Sequence, residues 1–151
     1  MSRRILRGFR HSEFTKARLE YKRKGISNHD LGRLSGIGEN TLRRWQSGEV
    51  LPTIDKLSAA LAVLGVPVSR VVVIPPEKRT LGDLRILAGF TQPQLAKAAG
   101  MSTTALSMLE RGGTPLTPQR AEALAPLLGV GADELRAAWQ RAKDRPPGAP
   151  A

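Results

Sequence analysis

The sequence has no cysteine and only six aromatic residues in 151: three Phe, two Trp and one Tyr. Without thiols there is no disulfide scaffold, no thiolate zinc site and no cysteine nucleophile, and the composition fits a reducing compartment. Acidic residues are also short, with 13 Asp and Glu against 24 Lys and Arg and a formal charge of +11. No apolar run approaches the ~18 residues that cross a bilayer, and the first residues lack the apolar stretch and cleavage site of a signal peptide. These shortages predict a soluble, cytoplasmic protein. The length holds one ordinary domain or two small ones, and 40% apolar residues supply small cores but not a large one.

An excess of positive charge fits nucleic acid, an acidic membrane surface or an acidic protein partner, so its distribution matters. Residues 1–75 hold 14 basic and 6 acidic side chains, net +8, whereas residues 76–151 hold 10 and 7, net +3. Nine of the basic residues and only two acidic ones fall within residues 1–24. The first half is the stronger anion binder, and a basic arm leads it.

The chain matches itself at an offset of 64 residues, read without a gap. Gly25, Leu31, Gly36, Leu42, Gly48, Leu64, Gly65 and Val66 fall on Gly89, Leu95, Gly100, Leu106, Gly112, Leu128, Gly129 and Val130. Apolar residues recur at spacings of three and four between breakers and caps, which predicts an all-α protein of two tandem five-helix units. The first copy has helices near 13–24, 28–34, 39–47, 54–64 and 69–74; the second near 81–88, 92–98, 103–111, 118–128 and 132–142. Ser27 with Asp30 and Thr91 with Gln94 have capping-box spacing, and Thr117 before Pro118 reads as a cap followed by proline at the first helical position. Val71, Val72, Val73 and Ile74 are β-branched, so an extended end competes with the fifth helix. Pro126 predicts a kink or an early end in the second copy's fourth helix.

The expected organisation is a basic arm over 1–11, a first domain over 12–74, a connector over 75–79, a second domain over 80–143 and a disordered tail over 144–151. Two prolines make the connector stiff and extended, with a reach of roughly 20 Å. The tail has little to bury.

Within the first copy, residues 27–48 read as a capped helix, a turn at Gly36 and a second helix closed by Gly48. Leu31, Leu34, Ile37, Leu42 and Trp45 form an apolar wedge, while the first turns of the second helix stay polar. This is a helix-turn-helix, able to place the start of its second helix in a major groove while the first helix crosses the backbone.

Both copies resemble the lambda-repressor-like, or XRE/Cro-type, helix-turn-helix family. The resemblance rests on Gly89-Phe90-Thr91-Gln92-Pro93-Gln94-Leu95-Ala96, Gly100-Met101-Ser102, Leu109-Glu110-Arg111-Gly112 and Leu61-Ala62-Val63-Leu64-Gly65-Val66, and it covers roughly residues 14–142. It implies five-helix domains and sequence-specific binding of double-stranded DNA, usually repression. The family's base-reading positions fall on Glu39, Asn40, Arg43 and Arg44, with Thr41 beside them as a further candidate DNA contact and Asn28 as the phosphate-contacting position. Asn suits adenine, Arg guanine and Glu a cytosine amino group. The second copy's set is Gln92, Ser102, Thr103, Thr104, Ser107 and Met108, with no arginine. Two readings stand for it: a weaker reader, or a packing or dimerisation module that has kept the fold.

The family ties its first helix to the end of the recognition helix by an Arg and a Glu, here Arg85 and Glu110. At the same offset the first copy has Tyr21 and Gln46, which predicts a neutral hydroxyl-to-amide contact in their place. Arg3, Arg4, Arg7 and Arg10 of the arm are candidate phosphate contacts; a membrane-surface helix or a packed extension are the competing readings. Trp45 reads as a core residue, with base stacking as the alternative, Trp139 as docking the last helix, with an interface as the alternative, and His11 and His29 as surface residues with no third ligand for a metal.

No phosphate-binding Gly loop, nucleophile elbow or zinc motif is present, so catalysis and cofactors are not expected. The expected function is a nucleoid-associated transcriptional regulator of repressor type, with double-stranded DNA as partner and two unequal recognition helices. A homodimer or a protein partner bound through the second domain is also open. The alternative function is an antitoxin-like or partner-binding adaptor whose second domain binds protein.

Overall fold

The computed structural model describes residues 6–147. Among them, ten α-helices and one 3-10 turn carry the fold, and the extended pairing is an isolated antiparallel bridge between Phe9 and Val72. The contacts divide the chain between Val73 and Ile74.

The first unit contains α1 (His11–Arg23), α2 (Asn28–Ser35), α3 (Glu39–Ser47), α4 (Ile54–Leu64) and α5 (Val68–Val71). Apolar residues at helical spacing turn inward, so Phe14, Leu31, Leu42, Trp45, Leu57, Leu61 and Leu64 are fully buried. Trp45 meets Phe14 edge-on at 5.7 Å, which makes it a core residue. Leu34 departs from the expected wedge: it is 54% exposed at the end of α2, and Ile37 beyond the turn supplies the inward face there.

The segment before α1 is not a free arm. Leu6 is buried, Phe9 packs beside Phe14, and two backbone bonds tie the segment to the end of the unit: Arg10 N–H to Val71 O (2.7 Å) and Val73 N–H to Gly8 O (2.9 Å). This pairing stops α5 at Val71, three residues earlier than the periodicity predicts, because Val72 turns extended, the conformation its β-branch favours. Residues 6–10 are therefore a packed extension, with Arg7 and Arg10 on its exposed side. Arg3 and Arg4 lie outside the described residues.

The second unit opens with a 3-10 turn (Pro76–Lys78) and continues through α6 (Leu81–Leu87), α7 (Gln92–Ala98), α8 (Thr103–Glu110), α9 (Pro118–Leu128) and α10 (Ala132–Lys143). Leu81, Leu95, Leu106, Leu109, Leu124 and Leu135 form its centre. Trp139 docks α10 and donates from Nε1 to Thr114 O at 3.1 Å.

Three local expectations change here. The connector coils instead of extending: the φ that proline imposes suits a 3-10 turn, and Arg141 Nη1 clamps the turn by donating to Pro76 O (3.2 Å) and Arg79 O (2.7 Å). Pro126 does not shorten α9, which runs 11 residues, as α4 does; in the last turn, few backbone bonds remain to be lost. The tail is anchored at its start, because Arg145 Nη1 donates to Arg111 O and Ala142 O, each at 2.5 Å.

Candidate nucleic-acid interface

Helices α2 and α3 are set by their caps and by one close approach. Ser27 accepts from the Asp30 amide while Asp30 returns a bond to the Ser27 amide, closing a capping box at the start of α2. Gly36 ends that helix in the left-handed region. A Cβ on Gly32 would stand 2.7 Å from Ile37 O, so the bare glycine lets the turn fold back onto α2.

The capping hydrogen bonds hold the Asp30 carboxyl below the usual carboxylate range, the Ser27 hydroxyl first and its backbone amide second, with Arg33 adding attraction. Because the folded value lies below the unfolded one, this stabilisation is complete above the ordinary carboxylate value and is lost as pH falls through the lowered one. Ser27→Ala is expected to lower stability at neutral pH and to flatten this acid limb, as read by urea midpoints between pH 7 and pH 2. Parallel profiles for the two proteins would contradict it.

Leu42 and Trp45 anchor the inner face of α3. Its other side presents Asn40, Arg43 and Arg44, all exposed, with Glu39 and Thr41 half-buried. Glu39 is engaged on two sides: His29 Nδ1 lies 2.9 Å away and Arg43 Nη2 3.5 Å. The fold thus joins a residue from α2 to the start of α3, a pairing that ten residues of separation concealed. Thr41 lines a groove between the turn and the start of α4, with Gly38, Asp55 and Lys56.

Asn28, at the first position of α2, is held from inside. Its Oδ1 accepts from Arg18 Nε, and Arg18 Nη1 also donates to Ile26 O at 2.7 Å. Arg18 is 2% exposed, and burial lowers its pKa, with Asp30 opposing this through space. Sequence reasoning missed this residue. In the second unit Arg85 Nη1 donates to Phe90 O, 2.9 Å, and Phe90 is the counterpart of Ile26 at offset 64. The arginines, however, are 67 apart. Phe14, Ala17 and Arg18 repeat the spacing of Leu81, Leu84 and Arg85, so the first helix carries a three-residue shift, and a gap in the self-match would have exposed it.

The expected Tyr21–Gln46 contact is accordingly replaced. The Tyr21 hydroxyl lies 3.3 Å from where a Cβ on Gly65 would be. The Gln46 carbonyl faces the first turn of α1, 3.2 Å from His11 Nδ1 and accepting from Thr15 Oγ1 at 3.1 Å. Six residues of helix, about 9 Å, separate Thr15 from Tyr21.

In the second unit, Arg85 and Glu110 form the expected ion pair, 3.0 Å, with both side chains at most 3% exposed. Gln92 Nε2 donates to Glu110 Oε1 at 3.3 Å. Ser102 caps α8 by accepting from the Ala105 amide. Thr103 and Thr104 are exposed, Ser107 is half-buried, and Met108 is 41% exposed.

The end of each of these helices is braced by a different part of its unit. Gly48, after α3, lies under His11, whose Cδ2 would stand 2.9 Å from an added Cβ; Gly112, after α8, lies under Lys143, whose Cα would stand 2.5 Å away.

A family model described as Helix-turn-helix matches residues 16–71, and another, described as Helix-turn-helix domain, matches residues 79–139. No curated protein matches the chain. No helix among the described residues is long and apolar enough to cross a membrane.

Proposed function

Since the chain belongs to the helix-turn-helix family, with two domains of the lambda-repressor-like, XRE/Cro kind in tandem, and such domains make a DNA-binding regulator, we propose that it is a sequence-specific transcriptional repressor with unequal readers. The observation that carries this is the outward row of Asn40, Arg43 and Arg44 on α3, beside an Asn28 fixed at the start of α2. In this reading α3 enters a major groove. Arg43 and Arg44 pair with guanine acceptors, Asn40 with adenine, and Asn28 with a backbone phosphate. Glu39, held by His29 and Arg43, orients Arg43 as well as offering an acceptor to a cytosine amino group. Arg7 and Arg10, with Arg3 and Arg4, add phosphate contacts.

Thr103, Thr104, Ser107 and Met108 form the second reader, whose hydroxyls and methyls discriminate less than a bidentate arginine does. Gln92 and Ser102 flank it. One chain then reads an asymmetric site of two unequal halves in the nucleoid, whereas association of two chains makes the site symmetric.

Selection of bound duplexes from random DNA tests this. An asymmetric site with one dominant half is expected, and Arg43→Ala with Arg44→Ala should lower affinity for it by about five- to a hundredfold for each lost pair. Failure to enrich any sequence would overturn the reading. The uncharged outer face of α8 favours a second reading, in which the second domain is a protein-interaction module of an antitoxin-like adaptor. Unchanged footprints after Thr103→Ala with Thr104→Ala would support that reading.

A further inference from the structure

We propose that Arg18 is the positioning residue for the first unit's phosphate contact, and that the fold leaves its charge unneutralised for a DNA backbone phosphate to complete. This rests on the DNA-binding reading above. The two units supply the comparison. Each buries a guanidinium behind the first residue of its second helix, and each guanidinium donates to an equivalent carbonyl, Ile26 O or Phe90 O.

The counter-charge differs. Arg85 Nε donates to both oxygens of Glu110, at 3.2 and 3.0 Å, and Gln92 bonds to the same carboxylate, so the second unit's group is neutral. In the first unit Gln46 stands at the place of Glu110, and both bonds from Arg18 end on neutral oxygens, those of Asn28 and Ile26. Asp30, which acts on Arg18 through space, is bound by the Ser27 hydroxyl at 3.0 Å and lies 3.7 Å from Arg33.

A cation taken out of water without a carboxylate partner is costly, and a bound anion relieves that cost. Asn28 sits between the two. With its oxygen on the guanidinium, the half-buried Asn28 keeps its amide hydrogens to donate, and the charge beside them strengthens them as donors. Arg18 acts through Asn28 and does not touch the DNA itself.

The test uses the full chain and a duplex obtained by selection from random DNA. Gln46→Glu places a carboxylate at the position of Glu110. It should raise the melting temperature of the first unit, weaken binding about tenfold and reduce the slope of log affinity against log salt by about 0.9, one phosphate contact. Arg18→Lys should keep the slope, and Arg18→Met should lose it. Wild-type affinity and slope in Gln46→Glu would overturn the inference even if Arg18→Met does not fold.

A titration with inorganic phosphate, followed by the Asn28 side-chain amide resonance, separates this inference from the reading beneath it. If the protein selects no DNA but that resonance shifts in the wild type and not in Gln46→Glu, the DNA reading fails and the anion partner stands. If DNA is selected while the resonance shifts equally in both proteins, or in neither, Arg18 is structural only.

Discussion

Replacing Glu110 by alanine is expected to cost the second unit about 3–5 kcal/mol while leaving the first unit's transition in place. Arg85 and Glu110 are 3% and 1% exposed, so removing the carboxylate strands a guanidinium where water cannot reach it. Arg85 and Gln92 both donate to that carboxylate, so α6, α7 and α8 lose a common fixing point together. For a unit of about 75 residues each kcal/mol corresponds to roughly 4–8 °C, so thermal unfolding should show one transition moving by more than 10 °C. Glu110→Gln keeps an acceptor oxygen and should lose less, because Asn28 already holds a buried arginine with an amide in the first unit. A loss below about 1 kcal/mol for the alanine variant would show that the Arg85 guanidinium is not stranded but finds water or another acceptor.

The second large effect is expected at Gly112, where alanine should cost roughly 2–5 kcal/mol. Its φ is +75°, a region where a side chain is strained. In addition, the new Cβ would lie 2.5 Å from Lys143 Cα and 2.8 Å from Lys143 N. These are backbone atoms of α10, which cannot swing aside as a side-chain tip does. The end of α10 must lift, and with it the anchor that Arg145 makes on Arg111. Gly129 is the control: its φ is +68°, yet nothing lies within 4 Å of an added Cβ. Gly129→Ala should therefore show the conformational strain alone, about 1–2 kcal/mol. Equal losses in urea denaturation for the two variants would refute the steric account.

The helices were legible because their signals are local. A serine three residues before an aspartate, a glycine after the last apolar position and a proline behind a threonine all act within one turn, and α2, α3, α4, α7, α8 and α9 begin and end within a residue of those marks. The outward placement of Asn40, Arg43 and Arg44 was equally legible, since Leu42 and Trp45 fix which side of α3 faces in. Arg18 was hidden for a geometric reason. Three residues are nearly one helical turn, so a shifted first helix keeps its apolar rhythm, and Gly25 against Gly89 still anchors the unshifted register.

Long-range capture of backbone carbonyls left no local trace either. Arg141 reaches Pro76 and Arg79 across more than sixty residues, which turns an expected rod into a coil. The packed strand-like segment before α1 escaped notice because its partners, Val71 and Val73, lie at the far end of the unit.

The braces behind the two glycines have a practical consequence. His11 belongs to the first helix of its unit and Lys143 to the last helix of its own, so the ends of α3 and α8 are steadied by segments remote from them in sequence. A protease nick just before His11 should loosen the end of α3, while one just after Lys143 should loosen the end of α8.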